Sequence, residues 1–98
     1  MFKIVEKRQL SANIFEMKIA AERVARAALP GQFVIVRADE GGERVPLTIA
    51  DYDVERGTVT IVTQTIGHST KKICSLEVGE SLADFAGPLG RPSEFVHM

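Results

Sequence analysis

Two short segments of this 98-residue chain carry residue types suited to holding a ligand. The first is Gly67-His68-Ser69-Thr70, just ahead of a run with helical spacing. Glycine lets a ligand approach the backbone closely, and the first N–H groups of a helix have no partner within it. Together with the Ser69 and Thr70 hydroxyls and the positive end of the helix dipole, they offer a seat for a phosphate. The same residues also suit ordinary capping, with Ser69 or Thr70 accepting a backbone N–H. The second segment is Pro46-Leu47-Thr48, in a run that begins at Arg44. Proline donates nothing to a sheet ladder, so it either leaves a gap for a ligand or marks an edge strand.

Other chemistry is sparse. His68 and His97 are the only histidines. His68 reads as a loop or hydrogen-bonding residue rather than a base, and His97 falls in the last two residues. The lone Cys74 cannot close an internal bridge and reads as a buried, inert thiol beside an apolar helix face. There is no CxxC, no HxxxH and no calcium-type acidic loop, so no metal site is expected. Ser69 lacks the G-x-S-x-G elbow of a hydrolase nucleophile. No catalytic acid, base or nucleophile is assigned.

The elements that must position these segments are short. Phe2–Leu10 reads as a strand and Ser11-Ala12-Asn13 as a turn. Ile14–Ala20 places Phe15, Met17 and Ile19 on one face, so the first two runs predict a β-hairpin. Ala21–Leu29 has helix formers throughout, with Val24, Ala28 and Leu29 near one face, and Pro30-Gly31 stops it within about two turns. Gln32–Arg37 is a β-branched strand, followed by the polar turn Asp39–Glu43. Val45–Ala50 reads as a strand with Pro46 at an edge, a bulge or the strand start, and Asp51–Gly57 as a charged turn. Thr58–Gln64 alternates, with Val59 and Ile61 on one face. A helix is predicted over about 69–76 and a last strand over Ser81–Ala86, closed by Gly87-Pro88-Leu89-Gly90. Connections this short cannot carry parallel crossovers, which points to an all-β antiparallel barrel or sandwich. In a small barrel, the late helix would plug one open end.

Composition narrows the function classes. Twelve Lys+Arg stand against thirteen Asp+Glu, a net charge of −1, with no polybasic run, so a nucleic-acid surface is disfavoured. No run reaches the ~20 apolar residues of a membrane span, and the start carries charges where a signal peptide is apolar. No membrane partner is expected, and the cytoplasm is the expected compartment. Length and 45% hydrophobic residues allow one core and one domain.

The order of the motifs resembles the flavin-binding domain of the ferredoxin–NADP reductase superfamily, over nearly the whole chain. Leu29-Pro30-Gly31-Gln32-Phe33-Val34 is similar to its Pro-Gly-Gln-Phe-Val turn and strand. Arg44-Val45-Pro46-Leu47-Thr48-Ile49 is similar to its first flavin motif, R-x-Y-S or R-P-I-S. Val62-Thr63-Gln64 followed by Gly67-His68-Ser69-Thr70 resembles the second strand and phosphate loop, and Gly87-Pro88-Leu89-Gly90-Arg91-Pro92 the segment ending the barrel. Within the superfamily, Arg44–Asp51 most resembles the beta-type subunits of sulfide dehydrogenase, or NADH-dependent ferredoxin–NADP oxidoreductase. The electron-transfer subunits of dihydroorotate dehydrogenase are related.

The resemblance implies a six-stranded antiparallel Greek-key barrel with one capping helix at about 69–76, spanning 1–98 as a single FAD-binding domain. It implies that Pro46, Leu47 and Thr48 line the flavin ring and ribityl chain. Val62, Thr63 and Gln64 would flank the ribityl chain and phosphates, and Gly67, His68, Ser69 and Thr70 would hold the pyrophosphate. Arg44 stands one residue ahead of the motif arginine that pairs with the pyrophosphate, so it must reach around a bulge at Pro46 or leave that work to Gln64 and the helix start. Leu47 replaces the stacking tyrosine, leaving apolar contact alone. The implied function is electron transfer between NAD(P)H, flavin and an iron–sulfur centre, with a partner oxidoreductase subunit and ferredoxin or another iron–sulfur protein. The nucleotide domain and any [2Fe–2S] segment would follow about Pro92, so the chain alone is expected to lack hydride transfer and to bind neither NAD(P) nor a cluster. The competing reading is a cofactor-free barrel that docks a partner subunit, or, with its apolar surface exposed, a second copy of itself. An RNA-binding barrel suits the fold but not the charge.

Overall fold

The computed structural model describes residues 2–29 and 31–90. Pro30, Arg91, Pro92 and His97, which figured in the sequence reading, lie outside them. Seven strands and two helices follow in the order β1 Phe2–Ser11, β2 Ile14–Ala20, α1 Glu22–Ala27, β3 Phe33–Arg37, β4 Val45–Asp53, β5 Thr58–Gln64, α2 His68–Ser75, β6 Ser81–Leu82 and β7 Asp84–Leu89. All strand pairs are antiparallel, in the spatial order β6-β1-β2-β5-β4-β3-β7. The outermost strands, β6 and β7, are consecutive in the chain, so the sheet closes on itself as a barrel.

The expected sixth strand is thus two. Ser81 and Leu82 pair with Lys3 and Phe2 of β1, and Asp84 to Leu89 pair with β3. Between them Ala83 gives its N–H to the Arg37 carbonyl at 2.9 Å. The strand breaks there because one segment must serve both edges of the barrel, and closure removes the unpaired edges an open sheet would expose.

Alternation fixes the core. Ile4, Met17, Ile19, Val34, Val36, Ile49, Val59, Ile61, Leu82 and Phe85 point inward from all seven strands. The threonines of β5 are also covered: Thr58, Thr60 and Thr63 are buried, because β5 lies centrally between β2 and β4. The helices close opposite ends. α1 sits at the Thr58 end of β5, where Ala21 N–H meets the Gly57 carbonyl at 2.9 Å and Val24 and Ala25 join the core. Leu29, placed on the buried face by its spacing, lies beyond the last turn and is exposed. α2 sits at the Thr63 end and buries Ile73 and Cys74, which is the expected plug. Lys7 secures the far end of α2 by donating to the Leu76 carbonyl at 2.8 Å. β4 runs three residues further than expected, to Asp53, across a register shift at Ala50.

Gln32 supports the Pro-Gly-Gln-Phe turn. Its side-chain oxygen accepts the Leu29 N–H, and its amide donates to the Gly90 carbonyl, both at 2.9 Å. The turn before β3 is thereby tied to the segment after β7.

Candidate functional site

The barrel has an open seam. β4 pairs with β5 from Ile49 opposite Ile61 through Asp53 opposite Thr58. Ahead of Ile49, Val45 to Thr48 pair only with β3. Beyond Ile61, Val62, Thr63 and Gln64 pair only with β2. The two strands part there, and a cavity of about 470 Å³ opens between them. Pro46 sits on the parted stretch, opposite Ile35 of β3. It cannot donate to the missing ladder, so the seam loses less by staying open.

The cavity brings together Pro46, Leu47, Thr48, Val62, Thr63, Gln64 and Thr70, the larger part of the residues singled out from the sequence. Val45, Ile14 and Ile66 join them. These three were missed. Ile14 enters through the β2–β5 register, opposite Gln64, which no local pattern reveals. Ile66 carried a usable signal: an isoleucine one residue before Gly67, in a turn, left 78% exposed at the cavity wall.

One polar atom behind this wall, on the core-facing side of β5, is unpaired. Thr63 is 3% exposed, and its hydroxyl has no hydrogen-bond partner among the described residues. The neighbouring Cys74 thiol donates to the Thr63 main-chain carbonyl at 4.0 Å, a weak sulfur contact. Burial pushes the Cys74 thiol up from its ordinary pKa, with the Thr63 contact and the Lys7 charge pulling weakly the other way. The thiol stays protonated and is no nucleophile.

At the mouth, α2 begins after Gly67. The Thr70 hydroxyl accepts the N–H groups of Ile66 and Gly67, each at 3.0 Å, and donates to the Gly67 carbonyl. Thr70 therefore does cap the turn. No group among the described residues accepts the N–H groups of His68, Ser69 or Thr70. Gly67 is extended, and a Cβ there would meet nothing within 4 Å. The fold does not demand a glycine at this position, and the space beside it is open.

Three residues stand apart from the seam cavity. His68 and Ser69 face a second, smaller cavity on the other side of the helix start. Arg44 precedes β4, is 66% exposed at its side chain, and lies 3.7 Å from Asp84, which also holds Arg37 at 2.8 Å. The β3–β4 register runs unbroken from Phe33–Thr48 to Val36–Val45, so the bulge at Pro46 that would have re-aimed Arg44 is absent.

No family profile matches the chain. It is 61% identical over 97 residues to a Clostridium beijerinckii protein known as an uncharacterized protein in the adh 3′ region, covering 99% of this chain and 33% of that one. It is 40% identical over 91 residues to the Thermotoga maritima homologue of the dihydroorotate dehydrogenase B (NAD(+)) electron transfer subunit, covering 93% and 32%. A solved NADH-dependent reduced ferredoxin–NADP oxidoreductase, described for flavin-based electron bifurcation, superposes with a TM-score of 0.93 at 38% identity, over 96% of this chain and 34% of that one. The fold is thus that of the ferredoxin reductase-like flavin-binding barrels. Within that class the chain is homologous to segments of electron-transfer oxidoreductase subunits, and it spans about a third of the length of the relatives it matches.

Proposed function

We propose that this chain is the FAD-binding barrel of an NAD(P)H-linked electron-transfer oxidoreductase subunit. The observation that carries the reading is the seam: a 470 Å³ cavity where β4 and β5 part, beside the three unpartnered N–H groups at the start of α2. A polyhydroxylated chain ending in phosphates supplies the partners those groups lack. The names of the relatives, electron transfer subunit and ferredoxin–NADP oxidoreductase, support the same reading.

A bound flavin would supply exchange between two-electron and one-electron steps. The chain's own residues hold and shield it. Leu47, Val62 and Ile66 provide apolar wall and exclude water, and no aromatic residue lines the cavity. Thr48 and Gln64 offer polar groups at the rim, and the strand from Val62 to Gln64 flanks the ribityl chain. His68, Ser69 and Thr70 present backbone N–H groups and the helix dipole to the pyrophosphate. Arg44 lies outside this contact set.

On this reading residues 1–98 form one domain of a longer subunit in the cytoplasm. That subunit works with a partner oxidoreductase subunit and passes electrons to ferredoxin or another iron–sulfur protein. The nicotinamide nucleotide and any [2Fe–2S] centre are held elsewhere in the assembly.

Gly67→Val tests the phosphate seat. Valine adopts the extended backbone of Gly67 readily, and its Cβ enters open space, so the melting temperature should stay within a few degrees. FAD affinity should fall at least tenfold. Unchanged affinity would remove the phosphate assignment.

A further inference from the structure

The turn between β3 and β4, residues 38–44, stands over the start of α2 and encloses a cavity of about 220 Å³ with it. We propose that this turn is a strap, latched in the ligand-free barrel by Glu43 on Ser69, and that the latch competes with an anion for the start of α2. The strap then limits how tightly the seam holds its ligand. This deepens the flavin reading and rests on its phosphate seat.

The strap is fastened at three places. At its stem, Asp84 pairs with Arg37 on one arm and Arg44 on the other, at 2.8 and 3.7 Å. At its tip, Asp39 pairs with Lys72 of α2, and the Lys72 ammonium holds the Asp39 carboxyl below the ordinary carboxylate range. On the returning arm, the Glu43 carboxylate accepts the Ser69 hydroxyl at 2.5 Å.

The third fastening differs in kind. Stem and tip join opposite charges, whereas Glu43 meets a neutral hydroxyl. What favours its charge there is the positive end of the helix dipole. α2 has no acidic residue in its own first turn, so Glu43 supplies from another element the negative charge that the helix start attracts. An anion bound by the N–H groups of His68, Ser69 and Thr70 draws on the same dipole. The Ser69 hydroxyl has one proton, which it gives to Glu43 or to the anion, not to both. A phosphate beside the carboxylate also meets like charge. Glu43 must therefore withdraw before the seat fills. The ion pairs at stem and tip stay closed meanwhile, so one arm swings and the turn keeps its shape.

Amide chemical-shift titration with inorganic pyrophosphate reads the competition in the parent, Glu43→Gln and Glu40→Gln. Both glutamates are exposed on the same turn, and each exchange removes one negative charge. Glu40 differs in offering only its main-chain carbonyl, to Arg37. Glu43→Gln should tighten pyrophosphate at least about threefold, and Glu40→Gln should change it by less than about 1.5-fold. In the parent, the Glu43 and Arg44 amides should move together with those of His68 to Thr70, with one dissociation constant. An affinity unchanged or weakened in Glu43→Gln, equal tightening in both variants, or pyrophosphate that binds none of the three proteins would overturn the latch. FAD added to the same samples separates the two readings. Shifts at Leu47, Thr48 and Val62 to Gln64, with pyrophosphate affinity unmoved by Glu43→Gln, would remove the latch alone. Seam amides silent to FAD would remove the flavin reading, whatever pyrophosphate does.

Discussion

Gly67 and Gly87 each open a motif singled out from the sequence, yet they are glycine for different reasons. Gly87 has φ +150°, and an added Cβ would lie 3.0 Å from Val34 Cγ1 and 3.1 Å from the Phe33 carbonyl oxygen. Its place is dictated by packing. Gly67 has an ordinary extended backbone and open space around it, so packing does not account for its small size. Thr63 shows the same contrast. A buried hydroxyl left unpaired costs about 1–3 kcal/mol, which an isosteric apolar side chain does not. Thr63→Val should therefore stabilise the ligand-free barrel by about 1 kcal/mol. Denaturant unfolding of the variant and its parent reads the difference. A variant less stable than the parent would mean the hydroxyl already has a partner. At this scale the sequence showed residue type and order. It did not show that Thr63 was unsatisfied, or that Arg44 was drawn to Asp84, because both depend on neighbours from other strands.

The elements were legible where a period was long enough to read. β5 and the hairpin of β1 and β2 declare themselves by alternation, and α2 by Ile73 and Leu76, three apart and both packed on the core. The β6–β7 break was not legible, since two residues carry no period and the switch at Ala83 answers to the whole barrel. The extension of β4 past Ala50 was hidden in the same way: Asp51 and Asp53 look like turn residues, but their pairing with β5 holds them in the ladder. The ending of the barrel depends on β7 lying close against β3. Gly87→Ala puts a methyl against that contact in a backbone region that costs about 1–3 kcal/mol for other residues. It should lower the melting temperature by roughly 8–16 °C, taking about 2 kcal/mol and 4–8 °C per kcal/mol for a domain of this size. Thermal unfolding followed by circular dichroism checks this. A change within a degree would show that β7 can shift without loss.

Closing a barrel satisfies strand edges except where neighbouring strands part, and β4 and β5 part ahead of Ile49 and beyond Ile61. The helix that plugs that end starts beside the gap, so the plug and the proposed anion seat are one element. The motifs found along the sequence converge there because the strand order β2-β5-β4-β3 brings the end of β5 beside the start of β4. The claim that the seam is a flavin site is tested most directly by titrating the folded chain with FAD and following its amide resonances. The account predicts one saturable site, with the largest shifts at Leu47, Thr48, Val62 to Gln64 and His68 to Thr70. A folded barrel whose seam resonances stay unmoved at millimolar FAD would contradict it.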